Sequence, residues 1–211
     1  IIFKDSDGSS TGSQVFHQVI PDAKRHMQQK CLEVAQILYR RSSEAPKFRQ
    51  LTFEIKDGDF VAYKYGDGDA IGIVVSTRHL TKIYRDSGND PQVIKDEIDG
   101  ILYHEVTHGY NNSPEAGGTY DGSSPFWAYT EGIADGVRIY AGYHQTRQPD
   151  VNNGKRWLGG YTTTGFFLQY VTQKYDKNFI YKFNKAAKDL GKSWSFDASF
   201  KSILGKGVEQ V

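Results

Sequence analysis

The spacing of apolar and polar residues divides the chain into one helix, a short β region and a long helical remainder. Between residues 22 and 41, apolar side chains recur every three or four positions, which predicts an amphipathic helix. Three stretches of strand length follow at 51–57, 60–65 and 70–76, separated by turns that contain glycine and aspartate. We expect these three strands to form an antiparallel meander.

The rest of the chain is predicted to be helical. A helix over 78–86 should follow the last strand directly. The next helix should begin at Pro91, because proline suits the first helical position, and should end at about His108. Ser124 followed by Pro125 is a second pairing of a capping residue with proline, and it predicts a helix over 125–142. Further helices are predicted at 160–175, 177–190 and 197–204. Strands early and helices late favour an α+β fold, with a small antiparallel or mixed sheet and a mainly helical C-terminal half.

Composition narrows the class of protein. A length of 211 residues with 38% apolar side chains suits one domain, which we expect to span residues 1–211. Lys and Arg number 26 and Asp and Glu 25, so no charge excess points to nucleic acid or to an anionic membrane. No apolar run approaches the ~18–20 residues of a membrane span. The single cysteine, Cys31, excludes an internal disulfide and is predicted to be a buried thiol.

Two further features concern processing and location. The chain opens with Ile1 instead of methionine, which suggests a processed or trimmed product. Its many Tyr, Gly, Asn and Ser residues, with almost no Cys or Met, fit a secreted enzyme. We therefore expect a secreted protein, acting as a monomer.

The segment HEVTH at 104–108 is the first candidate for chemistry. Residues i and i+4 of a helix lie about 40° apart and one turn apart, so His104 and His108 can both direct a ring nitrogen at one ion. Glu105 lies about 100° round from His104, where a carboxylate can reach a water on that ion without binding it. This arrangement predicts a catalytic Zn²⁺ site, in which bound water has its pKa lowered towards ~7 and the glutamate takes its proton.

A catalytic zinc needs three protein ligands and one open position, so a third ligand is required. Glu131 lies 23 residues after His108 on the next predicted helix, with Asp135 four residues further on. We assign Glu131 to the metal and expect Asp135 to accept a hydrogen bond from the non-ligating nitrogen of a histidine. In the alternative, Asp135 is the ligand and Glu131 lies outside.

A peptide hydrolase also needs a donor that stabilises the negative oxygen of its tetrahedral intermediate. Tyr161 is our first candidate, because it begins a predicted helix after two glycines. Other candidates are Tyr120, Tyr143 and His144. The remaining histidines are expected to be surface or capping residues: His17, His26 and His79.

Three segments together resemble the basic secretory protein family, a group of secreted zinc peptidases of plants, bacteria and fungi. They are GILYHEVTHGYN, TEGIADGVRIYAGY and RWLGGYTTTGFFLQYV. The strand block LTFEIKDGDFVAYKYGDGDAIGIVVST and the C-terminal FKSILGKGVEQV are also similar to that family. The resemblance implies a single secreted catalytic domain, zinc held by His104 and His108, and Glu105 as base. The acidic pair Glu131 and Asp135 and the later Tyr161 match as well.

The chain departs from that family in the polar loop after the second histidine and in its nearly neutral charge, so specificity does not carry over. We predict a secreted zinc metallopeptidase that hydrolyses protein or peptide substrates through a zinc-bound water and a glutamate general base. One alternative is a zinc amidase or hydrolase acting on a non-peptide or glycosylated substrate. Another is a non-catalytic defence or binding module that keeps zinc for stability.

Overall fold

The computed structural model describes residues 1–150 and 154–211. Its strands are β1 (Ile2–Asp5), β2 (Gln50–Lys56), β3 (Ala62–Asp67) and β4 (Ala70–Ser76). Its helices are α1 (Thr11–Val19), α2 (Ala23–Leu38), α3 (Thr77–Asp86), α4 (Pro91–Tyr110), α5 (Pro125–Tyr140), α6 (Tyr161–Lys174), α7 (Phe179–Asp189) and α8 (Phe196–Leu204). Short 3₁₀ turns occur at Arg156–Leu158, Gly191–Ser193 and Val208–Gln210. The predicted α+β class is confirmed, and each predicted helix is present with bounds that differ by a few residues.

The strand order β1-β2-β4-β3 corrects the predicted meander. Strands β2 and β3 do not pair, because β4 lies between them, parallel to β2 and antiparallel to β3. The burial of the strands gives the physical reason. Six of the seven residues of β4 are buried, as in a central strand covered on both faces, whereas β3 is mostly exposed and forms an edge. The short parallel strand β1 and helix α1 were not predicted from the N-terminal residues.

The chain divides into two compact units: residues 1–33 with 46–109, and residues 34–45 with 110–211. The single peptidase domain over 1–211 therefore stays a prediction. Cys31 is buried, as predicted. Among the described residues, no helix combines the length and the apolar character that a membrane span needs.

The first unit contains the sheet. Three phenylalanine rings form a cluster in its core, with centroids 5.6–5.7 Å apart: Phe3, Phe16 and Phe53. The last turn of α4 lies against the sheet, since a Cβ on Gly109 would come within 2.5 Å of the Ile71 side chain in β4. This contact places the end of α4 beside a central strand.

The second unit is helical. Helices α5 and α6 approach closely because small residues face each other: a Cβ on Gly132 would lie 2.2 Å from Thr164. Beside them is an aromatic core made of Tyr129, Phe179, Phe183, Trp194, Phe196 and Phe200. Helix α5 is buried along most of its length, and the polar residues that it carries are therefore buried too.

Candidate metal centre

Helix α4 presents both histidines of the HEVTH segment from one face. Pro91 begins the helix, and the Asp90 carboxylate accepts a hydrogen bond from the Gln92 backbone N–H at 2.8 Å. The Nε2 atoms of His104 and His108 lie 3.0 Å apart, and the two rings meet edge to face with centroids 4.7 Å apart. His104 is buried and His108 is half-buried. The predicted i, i+4 geometry is therefore present.

Helix α5 supplies the carboxylates. The Ser124 hydroxyl caps it by accepting a hydrogen bond from the Trp127 backbone N–H at 3.0 Å, and Pro125 occupies the first turn as predicted. Glu131 and Asp135 are each only 2% exposed. Burial of two acidic side chains calls for a cation or strong donors near them.

One ligand atom each from His104, His108 and Glu131 lies within 4.8 Å of the others, so these three residues could hold a metal ion. Their chemistry fits Zn²⁺, which binds imidazole nitrogen and carboxylate oxygen. Ligand atoms at about 2.0–2.1 Å from a tetrahedral zinc lie roughly 3.3 Å apart, close to the 3.0 Å between the two Nε2 atoms. Asp135 is not part of this group.

The model of one family, BSP, described as a peptidase of plants and bacteria, matches residues 1–211. The chain belongs to this family. The resemblance drawn from the sequence is confirmed, and it extends over the N-terminal residues as well. Neither the curated proteins nor the solved structures gave a significant match.

The structure gives the position and burial of the other residues proposed for catalysis in this BSP chain. Glu105 is buried in α4, at 8% exposure. Tyr161 is the first residue of α6, as predicted, and is 47% exposed, with its ring 5.6 Å from that of Trp127. Gly160 before it has a φ of 68°, and a Cβ there would lie 2.3 Å from the Trp127 ring, so only glycine fits this turn. Tyr120 is exposed, in the loop before α5.

Arg138 is a functional candidate that the sequence reasoning missed. Its Nη1 donates to the Asp135 carboxylate at 3.2 Å and contacts Nδ1 of His144 at 3.1 Å. Arg138 is only 9% exposed. A signal was available, since Arg138 stands three residues after Asp135 in a helix whose other side chains are largely apolar.

The turn after α5 brings His144 back to Arg138. The Tyr143 N–H donates to the Arg138 carbonyl at 3.1 Å and the Gly142 N–H to the Ile139 carbonyl at 3.0 Å. With Gly142 at a φ of 97°, these two bonds form a Schellman motif. The Gln145 side chain also donates to the Ile139 carbonyl, at 2.7 Å. The position of His144 is therefore fixed by backbone geometry.

A network of polar side chains fixes the chain just after α4. The Asn112 backbone N–H donates to the Asn184 side-chain oxygen at 2.8 Å, and the Asn112 side chain donates to the Asn184 carbonyl at 2.9 Å. The buried Tyr129 hydroxyl donates to the Asn112 carbonyl at 2.8 Å. Burial raises the pKa of Tyr129, which keeps it a neutral donor.

Two of the remaining histidines correct the expectation that they are surface or capping residues. His26 contacts the buried Asp99 at 2.5 Å, and His79 contacts Glu97 at 2.8 Å. Both side chains are only 15% exposed. His17 conforms to the expectation, with a side chain that is 48% exposed beside Asp5.

Proposed function

We propose that this chain is a secreted zinc metallopeptidase whose ion is held by His104, His108 and Glu131. The observation that carries the proposal is the convergence of their three ligand atoms within 4.8 Å. Membership of a peptidase family supports peptide-bond hydrolysis as the reaction. Two imidazoles and one carboxylate are also the ligand set of known zinc peptidases, which leave a fourth position open.

When bound, the ion supplies Lewis-acid activation of water and of the scissile carbonyl. The protein must then move one proton. Glu105 is the residue we assign to that step, because it adjoins His104 in sequence and is turned about 100° from it. Its carboxylate takes a proton from the attacking water and passes it to the leaving amine. Its burial keeps bulk water from competing for that proton.

The negative oxygen that develops during attack needs a hydrogen-bond donor. We assign this role to Tyr161, whose side chain is exposed at the start of α6 and is oriented by Trp127. Asp135 acts beside the metal ligands, as an acceptor for the non-ligating nitrogen of a histidine. The substrate is a protein or peptide, and the enzyme acts as a secreted monomer; the name of the family supports secretion.

The proposal is tested with purified protein on a peptide library, with and without a chelator, alongside metal analysis. We expect one zinc per chain, cleavage of library peptides, and loss of cleavage on chelation that added Zn²⁺ reverses. Cleavage that persists after complete removal of metal would contradict the proposal. A stoichiometric zinc without cleavage of any peptide would favour the amidase or the non-catalytic alternative.

A further inference from the structure

Three charged side chains are buried along α5: Glu131, Asp135 and Arg138. Their exposures are 2%, 2% and 9%. Carboxylates four residues apart on one helix repel each other, and burial strengthens that repulsion because the local dielectric constant is low. The charges of the three sum to −1 when all are ionised, so Arg138 offsets one carboxylate and not both.

Arg138 contacts the Asp135 carboxylate directly. Its Nη1 donates to Asp135 Oδ1 at 3.2 Å. Glu131 is instead grouped with the two histidines, and Asp135 is absent from that group. The guanidinium therefore holds the carboxylate that stands one turn after the proposed ligand.

The second contact of the Arg138 guanidinium is with His144. A guanidinium has donors and no acceptor, so Nδ1 of His144 must accept from Arg138. This contact predicts the tautomer with the ring proton on Nε2. Nη1 carries two N–H groups, one for Asp135 and one for His144, and the Schellman motif after α5 holds His144 in place for the second.

We propose that Arg138 is a positioning residue that makes Glu131 the metal-binding carboxylate by holding Asp135 in an ion pair. This inference rests on the proposed metal site and concerns which carboxylate enters it. In the simplest form of this proposal, Asp135 is prevented from binding the ion only while Arg138 is present. Removing Arg138 therefore allows Asp135 to replace a missing Glu131.

Binding of Co²⁺ to the apoprotein tests this, with the visible absorption of the ion reporting its ligands independently of activity. We expect Glu131→Gln to weaken Co²⁺ binding by roughly hundredfold or more, and Glu131→Gln/Arg138→Gln to recover about tenfold of that loss with a changed spectrum. Glu131→Gln/Arg138→Lys, which keeps the charge, should recover much less. The matched control is Glu131→Gln/Arg78→Gln, which breaks an exposed arginine–aspartate pair and should recover nothing.

The outcomes separate the two proposals. Failure of the wild type to bind one Co²⁺ would overturn the metal site itself. Stoichiometric binding by the wild type with no recovery in the Arg138→Gln double variant would overturn only the role of Arg138. Should the double variant not fold, long-range ¹H–¹⁵N spectra of the wild type decide, with His144→Gln assigning the signal. An Nε2–H tautomer supports the contact with Arg138, and protonation at Nδ1 overturns it.

Discussion

Helix α4 carries two buried polar clusters that are built from different kinds of side chain. In its first half, the Asp99 carboxylate is 1% exposed and is surrounded by nitrogen atoms that can donate hydrogen bonds. Lys95 lies at 2.7 Å, His26 at 2.5 Å and Lys30 at 3.9 Å. In its second half, His104 and His108 come together with Glu131 of α5.

The difference separates a cluster that compensates its own charge from one that could hold a metal ion. Around Asp99, burial opposes ionisation, but hydrogen bonds from His26 and Lys95 outweigh it and lower the pKa of Asp99 to about 2. Donors and acceptor are complementary there, and the charge is compensated within the protein. The histidine cluster brings two imidazole nitrogens and a carboxylate oxygen within 4.8 Å of one another, and these are atom types that bind Zn²⁺. Such a group is favourable when a cation joins it.

The largest effect is expected from removing a ligand. His108→Ala should lose stoichiometric zinc and reduce peptidase activity by at least roughly hundredfold, because two ligands bind zinc far more weakly than three. Metal analysis after dialysis and a peptide-cleavage assay measure both. His17→Ala removes a histidine that pairs with Asp5 outside the cluster and should change neither. Full zinc occupancy in His108→Ala would show that His108 is not a zinc ligand.

The next effect separates binding from chemistry. Glu105→Gln should keep its zinc and lose roughly 10²–10⁴ of kcat, the usual contribution of a general base. The matched control is Glu209→Gln, which alters an exposed glutamate paired with Arg156 and should leave both zinc and kcat unchanged. Equal turnover by the wild type and Glu105→Gln would show that another group carries the proton.

The sequence predicted what local patterns encode. The i, i+4 histidines, the starts of α4 and α5 at a capping residue followed by proline, and the acidic pair of α5 depend on neighbours within a few residues, and all are present in the structure. Strand order was wrong because β-pairing depends on contacts between distant segments. The continuous apolar run of β4 was nevertheless a usable sign of a central strand.

Local sequence patterns also could not predict polar contacts that depend on tertiary packing. His26 and Asp99 are 73 residues apart in sequence, and only tertiary packing brings them together. Arg138 and His144 are close in sequence, but their contact depends on a turn that reverses the chain at Gly142. The need of a buried charge for an ion-pair partner can thus be predicted from the sequence, but the identity of that partner cannot.

The Asp99 cluster should affect stability and leave the metal site intact. Asp99→Asn removes one partner of a buried ion pair and should lower the free energy of unfolding by about 3 kcal/mol. Urea denaturation of the apoprotein measures this, and Co²⁺ affinity should change by less than about threefold. Asp86→Asn alters an exposed i, i+4 pair with Lys82 and should cost under about 0.5 kcal/mol. A large loss of metal affinity in Asp99→Asn would show that the metal site depends on the Asp99 cluster.

The smallest effect is the pH dependence of that stabilisation. The pKa of Asp99 falls from 3.8 to about 2 on folding, so the unfolded chain takes up a proton first as the pH is lowered. The stabilisation is therefore fully present above about pH 4 and is lost as the pH falls towards 2, a change of about 2–3 kcal/mol. In urea titrations from pH 6 to pH 2.5, the difference between the wild type and Asp99→Asn should shrink only below pH 4, while Asp86→Asn stays close to wild type throughout. A difference that is constant over this range would show that the Asp99 carboxylate is not held in its ionised form by His26 and Lys95, and the contrast with the histidine cluster would then concern packing alone.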